Sequence, residues 1–278
     1  MSFKRLATCL TAALLILSMA AVFAAVEGTT DWGTGTIQVT GNGVGKAKYK
    51  NSNPGQYMLT ARQAARMDAQ RKLAEYVEGV YVTGNSSMAD LALEDDRVST
   101  MLKGVVLRNA IEVGEPIFNK EYGTCEVRME IRMFGGTNSL SAAAFLPFKD
   151  EPKVAFPAPT TNVAKSSVTY TGLVIDCRGL NLNPVMSPVI KNANGQAIYG
   201  HQNLDYDKII VNGMASYAGD AYDQISRDRA GNNPIVVKAS RLDDINANPV
   251  VSVADADKIL SANQSDKFLE NCAVVFLK

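Results

Sequence analysis

The sequence predicts an α+β protein, with a small strand–helix–strand–strand N-terminal domain joined by a proline-rich linker to a β-rich α+β C-terminal domain. Three observations predict it. Residues 125–133 alternate without a break, Cys125, Val127, Met129, Ile131 and Met133 against Glu126, Arg128, Glu130 and Arg132. That is the period of a strand with one covered face and a ladder of charges on the other. Residues 57–78 instead carry Ala61, Ala65, Ala69, Leu73 and Val77 at every fourth position, the row of a helix slim enough to approach a sheet closely. Four of the ten prolines fall between Pro147 and Pro159. Proline fixes φ and removes a donor, so this stretch is expected to be extended and semi-rigid.

Taken in order, Met1–Arg5 is basic and Leu6–Phe23 is apolar apart from Thr8, Cys9, Thr11 and Ser18. Val22 and Ala24 then supply the small residues of a cleavage site, so residues 1–24 read as a secretory signal peptide. Leu6-Ala-Thr-Cys9 looks like a lipidation box but precedes the apolar run instead of following it. Export to the periplasm or the outer membrane is the expectation.

The first domain, 30–135, is read as a strand at Gly35–Thr40, a helix over Tyr57–Glu78 closed by Gly79, and a shorter helix at Asp95–Lys103. Strands at Val105–Pro116 and Tyr122–Phe134 complete it. One sheet face is left open, and self-association is expected there or along the Ala61, Ala65, Ala69, Leu73 and Val77 row.

After a linker over 136–167, the C-terminal domain, 168–278, is read as strands at Val168–Cys177, Val185–Asn192, Gln196–Tyr199, Ile209–Ser216, Ile235–Ala239 and Ala273–Leu277. Asn194-Gly195 is a hairpin turn signal. Helices are expected at Ala218–Arg229 and Ala254–Ala262, and Asp176, Arg178 and Gly179 are read as a structural turn at a strand exit.

Composition narrows the function. With 28 basic and 28 acidic side chains in 278 residues and 46% hydrophobic residues, the chain is a packed protein with no basic surplus for nucleic acid. His201 is its one histidine, which excludes metal sites built from two imidazoles. Gly41-Asn-Gly-Val-Gly-Lys46 has the flavour of a phosphate loop. However, Thr40 stands where the first glycine should be and Ala47 where the magnesium ligand should be, so a glycine-rich strand exit is the better reading.

Cys177 beside Asp176, with His201 as base, is the one candidate nucleophile, set against a thiol lying inert in an apolar strand. Cys125, Cys177 and Cys272 all sit in strand-like runs; three buried thiols and a Cys177–Cys272 disulfide both remain open. Glu94-Asp-Asp96 and Asp243-Asp244 read as loop or cap residues, and Asp205-Tyr-Asp207 lacks a calcium loop around it. Lys46, Lys48 and Lys50 beside Tyr49 read as a solvated strand edge. Tyr199, Tyr206, Tyr217 and Tyr222 would be the aromatic platform of a glycan-binding module.

The run Ala61-Arg-Gln-Ala-Ala-Arg-Met-Asp-Ala-Gln-Arg-Lys-Leu-Ala-Glu-Tyr-Val-Glu-Gly-Val80, preceded by Ile37-Gln-Val-Thr-Gly-Asn-Gly-Val-Gly45 and followed by the charged strand, carries a resemblance. Over residues 35–135 the chain resembles the twenty-kilodalton outer-membrane lipoprotein family, which includes FlgP, and its module is similar to the N-terminal domain of FlgT. Thr171–Leu180, Pro184–Pro188 and Asn233–Lys238 are similar to an uncharacterised C-terminal extension of some of those proteins. The resemblance implies an exported, non-catalytic envelope component, linked to a flagellar or secretion structure, and it supplies no catalytic residues.

The expectation is therefore a structural or assembly protein with no cofactor or metal. Its partners would be further copies of itself, other envelope proteins, and peptidoglycan or the outer membrane. A periplasmic ligand- or glycan-binding module is the alternative.

Overall fold

The computed structural model describes residues 27–45, 53–161 and 168–278. The segment 1–24, expected to be a signal peptide, and the lysines at 46, 48 and 50 lie outside them. The first half runs β1 (Gly28–Asp31), β2 (Thr36–Val44), α1 (Pro54–Glu78), α2 (Met88–Glu94), α3 (Asp96–Asn109), β3 (Ile111–Glu112), β4 (Ile117–Asn119), β5 (Thr124–Arg132) and α4 (Leu140–Ala144). The second half runs β6 (Gly172–Asp176), β7 (Ile190–Asn192), β8 (Ala197–Tyr199), α5 (Tyr206–Asn212), β9 (Ser216–Ala218), α6 (Gln224–Ala230), β10 (Pro234–Lys238), β11 (Arg241–Asp243), β12 (Asn248–Val251), α7 (Val253–Asp266) and β13 (Val274–Leu277). The class is mixed α+β, β-rich toward the C-terminus.

β1 to β5 form one antiparallel sheet in the order β1-β2-β5-β3, with β4 also on β5. α1 lies across one face and buries Ala61, Ala65, Ala69, Leu73 and Val77. The row expected to offer an interaction surface is thus spent within the chain, against β2 and β5. Alanine permits the approach from the helix side and glycine from the strand side. A Cβ at Gly41 would fall on the Ala65 carbonyl and the Ala69 amide, and one at Gly43 on the Ala65 amide and the Ala61 carbonyl. The glycine-rich segment is therefore strand interior beneath a helix, where the sequence suggested a strand exit.

Three further expectations are corrected. Residues 105–109 are helical, because α3 buries Val98, Leu102, Val105 and Val106 at three- and four-residue spacing. Ile209–Asn212 belongs to α5, started by the Asp205 carboxylate accepting from the amides of Asp207 and Lys208 and ended at Gly213 with φ +72°. The predicted linker carries α4, which is buried throughout and capped by Ser139. Within the described part of that segment, 136–161, regular structure is confined to α4 and a single 3-10 turn at Leu146–Phe148.

The C-terminal half holds two sheets. β10-β6-β13-β9 is parallel throughout. It is covered on one face by α6 through Val174, Ala218, Ala230, Val275 and Leu277, while Leu173, Ile175, Tyr217 and Phe276 join the main core. Continuous apolar strands such as Val274–Leu277, buried at every residue, suit a parallel sheet sandwiched on both sides. β11-β12-β7-β8 is the second sheet. The apolar core is continuous from Ile37 and Leu73 to Val251 and Phe276. Backbone hydrogen bonds from Met186 N–H to Tyr81 C=O (3.2 Å) and Ser187 N–H to Val82 C=O (2.7 Å) tie the halves together.

The proline-rich strap is pinned at its far end. Asp257 of α7 is 2% exposed and accepts from the N–H and hydroxyl groups of Thr160 and Thr161 at 2.6–3.0 Å. The Thr161 hydroxyl above all, then the Thr160 amide, hold this carboxyl below its ordinary value. A depressed carboxyl contributes stability above the ordinary aspartate value, and that contribution is lost as pH falls through the lowered one. Asp257→Ala is expected to release the Thr160–Thr161 end of the strap, whose Val154–Phe156 part is held separately by Gln202, Asn203 and Tyr199, read as faster proteolysis near that end at neutral pH. Equal cleavage rates for the two proteins would sink this assignment.

Candidate functional site

An open cleft of about 830 Å³ lies where the two halves meet. β1 supplies one wall with Gly28, Thr29 and Thr30, and Trp32 follows it. α1 and the residues after it supply Tyr76 and Tyr81. The opposite half supplies Asn183, Pro184, Val185, Ile245 and Lys278. The position is physically apt, since Lys278 follows β13 and crevices outside the carboxyl ends of parallel strands are common ligand sites.

Each wall is fixed by identifiable contacts. The Tyr76 ring covers the start of β1, where a Cβ at Gly28 would lie 2.5 Å from it, and its hydroxyl meets Thr30 Oγ1 at 3.1 Å. Trp32 meets the buried Tyr217 ring edge-on at 5.6 Å. Tyr217 in turn holds the backbone of Val185, its hydroxyl donating to the Val185 carbonyl (2.8 Å) and accepting from the Val185 amide (3.0 Å).

Across the cleft, Asp244, Ile245 and Asn246 take φ of 51°, 55° and 61°. A β-branched residue pays for a left-handed backbone, yet the surroundings leave it no choice. Asn183 donates from Nδ2 to the Ile245 carbonyl (2.6 Å) and from its amide to the Asn246 carbonyl (2.9 Å). Lys191 and Asn248 both hold the Asp244 carboxylate at 2.7 Å, Lys191 foremost in drawing that carboxyl below its ordinary value. The result is an Ile245 side chain 62% exposed at the cleft mouth.

β1 is an edge strand, and no described strand pairs with its outer side. The neighbouring open run of β2 is treated differently. Thr40 C=O accepts from Lys72 Nζ (3.0 Å) and Asn42 N–H donates to Asp68 (3.0 Å), so side chains of α1 occupy that edge.

A second surface is the uncovered face of the N-terminal sheet. Opposed residues of an antiparallel pair share a face. Ile111 faces Glu130, Ile117 faces Glu126, and Val44 faces Thr124. Three aliphatic side chains, 53–62% exposed, thus surround the ladder Glu126, Arg128, Glu130 and Arg132. Gln38 donates to Glu130 within it at 2.7 Å.

The chemistry-bearing residues are placed elsewhere. Cys125, Cys177 and Cys272 are free and buried. Burial pushes the Cys177 thiol up to about 12, with Asp176 adding to it, so the thiolate of the candidate nucleophile is suppressed. Asp176 accepts from the Arg178 amide (3.0 Å) and guanidinium (2.8–2.9 Å), beside Gly179 at φ +83°. His201 lies 4.5 Å from the Phe148 ring, with Nδ1 3.4 Å from Ser187 Oγ and Nε2 3.9 Å from Glu151. Burial lowers its pKa and Glu151 opposes the shift.

A serine, an imidazole and a carboxylate in series have the outline of a nucleophilic relay. Ser187, however, is 1% exposed and lines neither the junction cleft nor the smaller pocket beside His201. The acidic pairs act as caps and ion-pair partners: Asp95 starts α3, Asp205 starts α5, and Asp243 and Asp244 face Lys191. Among the described residues no group of three or more His, Cys, Asp or Glu side chains is placed to hold a metal.

The four-tyrosine platform is not assembled. Tyr199 and Tyr217 are buried, Tyr199 donating to the Met214 carbonyl, whereas Tyr222 is 63% exposed. The aromatic groups that do converge, Trp32, Tyr76 and Tyr81, were not singled out from the sequence. The lone tryptophan in Asp31-Trp-Gly-Thr-Gly35, a turn sequence outside any apolar run, was the available signal.

Residues 172–278 match the family described as the second domain of Treponema pallidum Tp0624, well under half of the chain. No curated protein matches it.

Proposed function

We propose that this chain is an exported, non-catalytic structural or assembly protein of the cell envelope, periplasmic or associated with the outer membrane. It docks to further copies of itself through the open face of its N-terminal sheet. The observation that carries this reading is the combination on one face of exposed Ile111, Ile117 and Val44 with alternating glutamates and arginines. Alternating charge is self-complementary. In an isologous pair the Glu126 and Glu130 carboxylates of one copy can meet the Arg128 and Arg132 guanidinium groups of another, while the aliphatic residues lose water contact.

Further support comes from the buried state of the three thiols and of Ser187, groups that a hydrolase would keep open to substrate. The likeness of residues 35–135 to the FlgP-like lipoprotein family supports a link to a flagellar or secretion structure. The alternative, a periplasmic ligand- or glycan-binding module, now rests on Trp32, Tyr76 and Tyr81 instead of the four tyrosines.

Light scattering on residues 25–278 at micromolar concentration is expected to give more than one copy per particle, and Ile117→Asp with Ile111→Asp to return the monomer. A wild-type monomer would overturn the self-association.

A further inference from the structure

We infer that the junction cleft takes an extended peptide segment of a partner protein, laid along the free outer edge of β1 as an added strand. The inference rests on the docking role proposed above and names a second partner class for it.

Three observations converge on that occupant. In an antiparallel strand, alternate residues turn N–H and C=O away from the existing neighbour, and another extended backbone satisfies such groups in series. β1 presents such an edge to the cleft, whereas the exposed edge of β2 is already occupied by Asp68 and Lys72. The protein therefore blocks one strand edge and leaves the adjacent one open, within a cleft.

The shape selects a single strand. Asn183, Pro184 and Ile245 line the same cleft as β1, so a slender segment can enter where the edge of a second folded copy, backed by its own sheet, would meet that wall. A volume of about 830 Å³ is within the range that encloses ligands and short peptide stretches.

The side chains supply recognition. Trp32, Tyr81 and Ile245 offer apolar surface to alternate residues of the guest, with Tyr81 48% and Ile245 62% exposed. Glu75 and Lys278 give one charge of each sign, which favours a guest of low net charge with apolar residues at every second position. Ile245 is presented by a backbone turn that a glycine would adopt without cost. Strain retained to expose an aliphatic side chain is better explained by a contact than by folding.

The test pans a displayed heptapeptide library over the full chain and resynthesises the enriched peptides. Their binding is then measured against wild type and Ile245→Gly, a variant that relieves the left-handed strain and so keeps the fold. Enriched peptides with alternating apolar residues are expected. They should protect the amides of Gly28–Asp31 from hydrogen exchange and lose about fivefold or more in affinity on Ile245→Gly, as for an interface anchor.

A library that enriches nothing above background would overturn the inference. So would peptides that leave residues 28–31 unprotected and bind the variant unchanged, or protection of that edge by soluble cell-wall glycan fragments in place of peptide. Light scattering on the same samples separates the two proposals, because loss of self-association with intact peptide protection removes the open-face reading alone.

Discussion

Gly43→Val is expected to cost about 3 kcal/mol or more, at the upper end of what overpacking does. The site permits no small adjustment. A Cβ there meets the Ala65 amide and the Ala61 carbonyl, and these are helix backbone atoms, unable to rotate aside as a side chain would. α1 would have to lift from β2, uncovering Ala61, Ala65, Ala69, Leu73 and Val77 together. Urea unfolding followed by circular dichroism reads the change as a lowered midpoint. Gly79→Ala is the matched control: its φ is −80° and the nearest atom to an added Cβ, the Tyr76 carbonyl, is an ordinary 3.5 Å away. That substitution is expected to be neutral or to stabilise by up to about 1 kcal/mol through the unfolded chain. Equal midpoints for the valine variant and wild type would refute the close-approach account of this helix.

Phe276→Ala is expected to destabilise by about 3–5 kcal/mol, the range for removing a fully buried aromatic. Phe276 is 0% exposed on β13, paired with β6 on one side and β9 on the other. Its ring lies 5.6 Å from that of Tyr217, which lies 5.6 Å from Trp32 at the cleft. Loss of the innermost ring should therefore reach the surface. Because the chain has one tryptophan, the variant's fluorescence reports directly on the Trp32 environment, and a red shift is expected alongside the lowered denaturant midpoint. A destabilised variant with unchanged emission would show that the cleft wall is held independently of the parallel sheet.

Legibility in the sequence followed the range of the forces involved. The alternation of 125–133 and the four-residue row of 61–77 are local periodicities, and both reappear as burial patterns in β5 and α1. Residues 105–109 misled because Val105 and Val106 favour strands in isolation, while their spacing from Val98 and Leu102 fits a helix packed on the core. The segment 136–167 misled because its prolines cluster after α4, whose five small or apolar residues carry no strong pattern of their own.

The amino-acid sequence alone determined the class, the position of the main helix and the two faces of the charged strand, because each is set by residues within a few positions of one another. The tertiary structure alone decided where surfaces are left over: that the alanine row is spent internally and that β1 keeps a free edge. It also decided that Trp32, Tyr76, Tyr81 and Ile245 share one cleft. Trp32, the Tyr76–Tyr81 stretch and Ile245 are far apart in sequence and meet across a junction where Met186 and Ser187 hydrogen-bond to Tyr81 and Val82. Sequence periodicity has no access to contacts between such distant segments, and the cleft lies at a junction of that kind.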